Sequence, residues 1–369
     1  MHVHPSLQGA STERPFHIHV LAPQLETSDE NLDYYYDFTQ SIGEYTRVFE
    51  TLQLRWSWHP VTLVNYRDVI NRIFLRNNET PVVLNLCDGD EVNGTPGLSV
   101  IHYLRQYGLT YTGADPAFYE NTTSKIPMKE RFDRAGVAHA PWRPVKGTEE
   151  TEGICEEVGT PLIVKPAVSG GSMGLGVGNV VHNDPDLRQV VSRLYEGYRG
   201  WDLAWGGLVA ERFIAGPEFT VFIVGSHHLP AHRIIYTPVE RVFHPALPAT
   251  EKFLSFDRLW ETYETEQPMQ EQADFYQYQL PPQDLQQRLQ DLSWAAYCAV
   301  EGTGYGRVDL RQDEQSGTLY VLEVNAQCGL SEDENYTSIG AIARLGKHNY
   351  ADMILHILQD ALLRHYPTK

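Results

Sequence analysis

Two carboxylates and an amide stand within one stretch, Gly306 to Gly329: G-R-V-D-L-R-Q-D-E-Q-S-G-T-L-Y-V-L-E-V-N-A-Q-C-G. Its two alternating apolar runs, Arg307 to Leu310 and Thr318 to Val324, flank a polar turn ending in Ser316-Gly317, which predicts a β-hairpin or two neighbouring strands. Glu323 and Asn325 are two apart and share a strand face, which Asp309 can reach from the neighbouring strand. An all-oxygen set of this kind suits a hard cation such as Mg²⁺, which keeps waters and bridges to phosphates. Arg307 shares the face of Asp309 and sets a fixed positive charge beside it. Taken alone, the stretch also describes an edge hairpin with solvated acids.

A second stretch, Gly159 to Val180 (G-T-P-L-I-V-K-P-A-V-S-G-G-S-M-G-L-G-V-G-N-V), favours phosphate chemistry. Leu162-Ile163-Val164 reads as a short buried strand delivering Lys165, and a lysine behind three apolar residues is costly to bury unless paired. The loop after it holds Gly170, Gly171, Gly174, Gly176 and Gly178. Glycines let backbone N–H groups approach phosphate oxygens, and the lysine supplies a point charge. No Gly-Lys-Ser/Thr closes the loop, so it is not a P-loop.

With V-K-P and G-G-S-M-G, then A-E-R-F-I-A-G-P-E-F-T-V, then R-V-D and L-E-V-N in that order, the chain resembles ATP-grasp ligases, in particular D-alanine–D-alanine ligases, from about Gly108 to the C-terminus. The resemblance implies a mixed α/β and α+β fold in three domains. These are an N-terminal doubly wound α/β domain (1–115), a small central lid (116–205) and a C-terminal α+β catalytic domain (206–369).

Composition is that of an ordinary soluble globular protein. A chain of 369 residues, 42% apolar and 21% charged, has room for two or three cores. Its net charge of −19 argues against nucleic acid and anionic membranes as partners. Cys87, Cys155, Cys298 and Cys328 form no C-x-x-C pair, so a reducing, cytoplasmic setting is expected. The N-terminus lacks an apolar leader and no run reaches membrane-span length.

Along the chain, His17 to Leu21 predicts a first strand and Thr27-x-x-Glu30 a capping box. The capped helix continues to about Leu52, with Tyr45, Val48, Phe49 and Leu52 as its core stripe. A helix near Tyr66–Leu75 precedes a buried strand at 81–86, and this rhythm predicts a parallel sheet with sites beyond its strand ends. Asp88-Gly89-Asp90-Glu91 follows such an end. His17 and His19 share a strand face, but with no third ligand nearby they read as solvated or core histidines. Residues 229–283 carry little pattern beyond a loop cluster of His227, His228 and His232. The closing helix presents Ala351, Ile354, Ile357, Leu358, Ala361 and Leu362 as its packing face.

The resemblance also implies roles. Lys125 and Lys165 would hold the ATP phosphates, under a closing loop that includes Gly171, Ser172 and Gly174. Lys125 stands with Lys129 in a D-K-x-x-x-K-like start in which Ser124 replaces the usual Asp. Glu211 would face the adenine amino group. Arg212 and Ile214 would offer backbone C=O and N–H to the ring, Leu322 would press on it, and Glu218 would take the ribose hydroxyls. Lys252 is the candidate for a further phosphate lysine. Asp309, Glu323 and Asn325 would hold Mg²⁺, as two ions and with Mn²⁺ as a substitute. Arg307, with the Gly329 N–H, would stabilise the transferring phosphoryl and the oxyanion.

The substrate-reading segments depart from the D-alanine ligases. The glycine-rich N-terminal segment is replaced by Ala22-Pro23-Gln24-Leu25-Glu26. After Asn325 the chain reads Ala326-Gln327-Cys328-Gly329-Leu330-Ser331-Glu332-Asp333-Glu334, where the family has Thr-Ser-Pro-Gly-Met and then a serine for the acceptor carboxylate. Three acids there would repel a carboxylate unless they face away or meet an amine. A carboxylate–amine ligase of other specificity, acting through an acyl phosphate in specialised metabolism, is therefore expected. A mycosporine-type imine-forming ligase, an authentic D-alanine–D-alanine ligase and a non-catalytic ATP sensor stay open. A homodimer is the family's habit.

Overall fold

The computed structural model describes residues 14–25, 38–76, 78–198, 200–269, 273–333 and 337–366. The expected capping box at Thr27–Glu30 and the acid Glu334 lie outside them. Strand β1 (Phe16–Pro23) is followed by α1 (Thr39–Thr51), β2 (Arg55–Val61), α2 (Tyr66–Phe74), β3 (Thr80–Asn85), α3 (Leu98–Gln106) and β4 (Thr110–Tyr111). The four strands form the expected parallel sheet in the order β2-β1-β3-β4. Tyr45, Val48, Phe49 and Leu52 of the α1 region are buried against one of its faces, as their helical spacing predicts. α2 covers the other face through Tyr66, Val69, Ile70 and Ile73.

Two helices follow, α4 (Pro116–Thr123) and α5 (Lys125–Ala135). The Asp115 and Ser124 side chains cap them by accepting backbone N–H groups, so Ser124 serves as a cap where the family pattern has Asp. Gly136, in the left-handed region at φ 67°, ends α5. Phe118, Met128 and Phe132 of these helices pack into the core of the C-terminal sheet.

A central antiparallel sheet, β5-β8-β6-β7, is built from β5 (Trp142–Val145), α6 (Ile154–Val158), β6 (Leu162–Pro166), β7 (Val180–Val181), α7 (Asp184–Tyr195) and β8 (Leu208–Arg212). β8 thus belongs to this sheet although it lies beyond 205.

The C-terminal part contains β9 (Glu218–Val224), β10 (Ile234–Ile235), β11 (Val239–Phe243), the short α8 (Phe256–Leu259), β12 (Tyr276–Gln279), α9 (Gln283–Ala299), β13 (Tyr305–Gln312), β14 (Leu319–Ala326), α10 (Ser338–Leu345) and α11 (Tyr350–His365). Its strands run β12-β11-β9-β13-β14, with β10 on β9. α11 buries Ile354, Ile357, Leu358 and Leu362 in a core shared with β1, β3 and α1. The first and third units are therefore packed together rather than strung on a linker. No helix among the described residues is long and apolar enough to cross a membrane.

Candidate active site

β13 and β14 pair antiparallel as the expected hairpin, with Arg307 opposite Asn325 and Asp309 opposite Glu323. The register then slips: Leu310 faces Val321, which leaves Leu322 as an extra residue in β14. This bulge keeps Val321 in the core while Glu323 and Asn325 stay on the face of Asp309. The Arg307 guanidinium grips Asp309 through Nε at 3.0 and 3.1 Å and NH2 at 2.9 Å. Thr220 on β9 donates to Asp309 Oδ1 at 2.8 Å, and the Asn325 amide bridges Asp309 (3.0 Å) and Glu323 (3.2 Å). Asp309, Glu323 and Asn325 are thus brought into one cluster. Two carboxylates and an amide carbonyl on rigid strands match a hard divalent cation, so the residues present fit Mg²⁺.

α5 closes one side of the cluster. Lys125, its first residue, is nearly buried, and its Nζ lies 3.5 Å from Glu323 Oε2. Burial opposes ionisation of Glu323, but Lys125, Lys165 and Arg307 outweigh it and hold the carboxyl below its ordinary pKa. Lys165 pairs with Glu211 Oε1, and Lys129, only 1% exposed, contacts Glu211 Oε2 at 2.5 Å off the line of an ideal hydrogen bond. Burial would raise the Glu211 pKa, yet the two ammoniums bring it down to about 2.

The glycine loop leaves β6 as a chain of turns in which Gly171, Ser172 and Gly174 take φ of 56°, 61° and 78°. A Cβ on Gly174 would sit 2.9 Å from Pro166 Cγ and 3.0 Å from Leu203 Cδ1, so both conformation and space require glycine. The loop is held from the segment the sequence leaves unreadable. Trp260 Nε1 donates to Gly171 O at 2.8 Å, Phe256 N to Leu175 O at 2.8 Å, and Val177 N to Glu266 Oε1 at 2.8 Å. Gly329 lies exposed past β14, and a Cβ there would meet nothing within 4 Å.

On the hinge side the acids are already paired. Neither Glu211 nor Glu218 presents an open carboxylate: Glu211 is taken by the two lysines, and Glu218 by Arg311 at 2.8 and 3.1 Å and by Arg241. The reason is charge balance, because Arg241 and Arg311 are buried and need a counter-ion. Arg311 also donates to the carbonyls of Ile214 (2.8 Å) and Lys252. Arg212 N donates to Pro141 O at 2.9 Å, and its side chain reaches Asp313 at 3.5 Å. Lys252 is tied to this corner through its carbonyl.

No motif of the sequence gives a role to Arg311, Arg241, Thr220 or Gln327, and Lys129 appears there only as the second lysine of the D-K-x-x-x-K-like start. Arg311 continues the period-two series Arg307, Asp309 and could have been found from it. Gln327 could not: its Oε1 accepts from Ala114 N at 3.0 Å and its amide donates to Asn85 O, a long-range pairing. The acid run turns toward α1. Glu332 pairs with Arg47 (2.9 Å), Asp333 accepts from Gln40 (3.1 Å), and buried Glu44 accepts from Ser331 Oγ and Glu332 N at 3.0 Å each.

Comparison with known proteins matches these features to one family. Residues 132–359 match the family model for the D-ala D-ala ligase C-terminus. The D-alanine–D-alanine ligase of Marinobacter nauticus is 28% identical over 263 residues, covering 70% of this chain and 69% of that protein. That of Xanthomonas axonopodis pv. citri is 26% identical over 285 residues, covering 76% and 78%. Among solved structures, the D-alanine–D-alanine ligase of Bacillus anthracis complexed with ATP superposes with a TM-score of 0.62 at 18% identity, covering 95% of this chain and 98% of that one. The Coxiella burnetii enzyme gives 0.64 at 15%, covering 95% and 96%. With the family model matched over 132–359, the protein belongs to the D-alanine–D-alanine ligase family of ATP-grasp, ATP-dependent C–N ligases.

Proposed function

We propose that this ligase joins a carboxylate substrate to an amine whose carboxylate, if it has one, is not held in the manner of a D-alanine acceptor. The observation that carries this reading is Ser331. It is the first serine after Asn325, in the stretch where the family has a serine for the acceptor carboxylate, and its hydroxyl donates to Glu44 at 3.0 Å. Glu332 and Asp333 beside it add negative charge, partly balanced by Arg47. The site favours an amine acceptor over a second carboxylate, in specialised metabolism rather than cell-wall synthesis.

In this reading Lys125 and Lys165 hold phosphate oxygens beneath the Gly170–Gly174 loop, with Ser172 at its tip. The Arg212–Ile214 hinge and Leu322 border the adenine, and Glu218 reaches the ribose by exchanging one of its two arginines. Asp309, Glu323 and Asn325 would hold Mg²⁺, which neutralises phosphate charge when bound. Two ions would share this set, and Mn²⁺ suits the same oxygens. A carboxylate oxygen of the donor attacks the γ-phosphorus, and ADP leaves. The amine nitrogen then attacks the acyl carbon, the C–O bond to phosphate breaks, and the amine loses a proton. Arg307 and the Gly329 N–H face the charge that develops on the phosphoryl group and the oxyanion. All four described cysteines are unpaired, which supports a reducing, cytoplasmic setting, and a homodimer follows the family's habit.

The test is phosphate release with ATP and Mg²⁺ over paired carboxylates and amines, with mass spectrometry of every product. A condensed product from partners other than D-alanine supports the reading. D-alanine alone sufficing would instead favour an authentic D-alanine–D-alanine ligase, which the named relatives also support. Condensation only with a carbonyl substrate would indicate imine formation, and ATP binding without turnover a sensor.

A further inference from the structure

His17 and His19 gain in the fold the ligands that their sequence neighbourhood lacks. They project from one face of β1, the face that β2 continues with Ser57 and His59, because β1 and β2 pair in parallel with His19 level with Ser57. The turn before β3 brings in Glu79. His17 Nδ1 lies 3.1 Å from Glu79 Oε2 and His19 Nε2 3.1 Å from Glu79 Oε1. One donor atom from each of the three residues lies within 4.8 Å of the other two. Their side chains are 13%, 0% and 5% exposed.

The remaining ring nitrogens are held from behind. Ser57 Oγ sits 3.1 Å from His17 Nε2, and His59 Nε2 sits 3.1 Å from His19 Nδ1. Ser57 Oγ and His59 Nε2 are themselves 2.9 Å apart. Outer partners of this kind orient the imidazoles of metal sites and fix their tautomers. As a hydrogen-bond network alone the cluster is incomplete. His17 Nδ1 is buried and makes no hydrogen bond, its 3.1 Å approach to Glu79 lacking the geometry for one. Of the arginines near the cluster, Arg55, Arg72 and Arg76, Arg76 forms an ion pair with Glu79, 3.4 Å from Oε1 on a side chain 44% exposed.

We propose that His17, His19 and Glu79 form a zinc-type divalent transition-metal site, with His59 and Ser57 as positioning residues. Two imidazoles and a carboxylate are a zinc ligand set that leaves a fourth position for water, and they are softer than the all-oxygen cluster at Asp309. The site sits at the end of the sheet where β1 begins, between β2 and β3, while the Asp88 loop follows the opposite end of β3. It therefore clasps β1, β2 and the β3 entry rather than serving the ligase chemistry. Arg76 swings outward when the ion arrives.

The test is to strip the full-length protein with a chelator and titrate ZnCl₂ by calorimetry in excess Mg²⁺. Co²⁺ absorption and the melting temperature are followed alongside. One tight equivalent per chain, a tetrahedral Co²⁺ spectrum and a higher Tm are expected. His17→Gln, whose side chain is the most exposed of the three, and Glu79→Gln should lose that equivalent while keeping native circular dichroism. His59→Gln should weaken it by about 10–100-fold. Asp309→Asn should leave it unchanged, which separates the site from the ligase centre. The proposal is overturned if the wild-type protein binds no equivalent under these conditions, or if folded Glu79→Gln binds as tightly as wild type.

Discussion

Arg307 is held by Asp309 from below, and its guanidinium is fixed before any substrate arrives. A preorganised charge of this kind acts mainly on the transition state, where negative charge is greatest. Replacing it with Ala should lower kcat by about 10²–10³-fold, the scale for one oxyanion donor. ATP affinity, measured by calorimetry, should change only a few-fold, since in the proposed function Lys125 and Lys165 hold the phosphates. Near-wild-type turnover would remove Arg307 from the chemistry. Arg311, four residues along the same strand face, should behave in the opposite way. It neutralises Glu218 and braces the Ile214 and Lys252 carbonyls. Arg311→Met would leave Glu218 with Arg241 alone and should raise the KM for ATP more than it lowers kcat. Equal effects on both would place Arg311 nearer the reacting atoms than the structure does.

At the scale of elements, the glycine loop depends on a neighbour far away in sequence. Trp260 donates to Gly171 O and packs against that glycine, where a Cβ would lie 3.2 Å from the ring. Trp260→Phe keeps an apolar ring and deletes the N–H. It should loosen the loop, raise the KM for ATP several-fold and increase amide exchange at 170–176, with global stability lowered by about 1 kcal/mol. Unchanged exchange would show that the loop is shaped by its own glycines. Elements with a strict period were legible in the sequence: the Arg307–Val324 hairpin, the Tyr45–Leu52 stripe and the apolar face of α11. The bulge at Leu322 was not, because its one mark in L-Y-V-L-E-V-N-A, the phase change from Leu319 and Val321 to Val324, is masked by an apolar Leu322. The 256–266 segment was equally silent. Its order comes from Asp257, which accepts from Thr265 N (2.6 Å), Glu266 N (2.8 Å) and Thr262 Oγ1 (2.8 Å), and such polar knots have no periodicity. The partners of Glu211 and Glu218 were hidden for a related reason, since charge pairing between strands distant in sequence is visible only after folding.

For the whole molecule, the buried charges between the central sheet, α5 and the hairpin tie stability to pH. Burial pushes the Glu211 pKa up, but Lys129 and Lys165 outweigh it and bring it from 4.5 to about 2. Glu218 is likewise lowered, against burial, by Arg241 and Arg311. A carboxyl with a depressed pKa in the folded chain contributes stability above its unfolded pKa. That contribution is lost as protons bind, so stability should fall from about pH 4.5 toward pH 2. At 1.36 kcal/mol per pKa unit, Glu211 accounts for roughly 3 kcal/mol of this acid limb. Glu211→Gln leaves two ammoniums in the interior without their counter-charge, a change that costs about 3–5 kcal/mol near neutral pH. The variant should therefore start less stable at pH 7 and lose less on acidification, its profile approaching that of wild type near pH 2. Urea midpoints taken from pH 7 downward measure both curves at once. Parallel curves would mean that Glu211 stays protonated in the fold, and the lysines would then need phosphate rather than carboxylate to hold them in place.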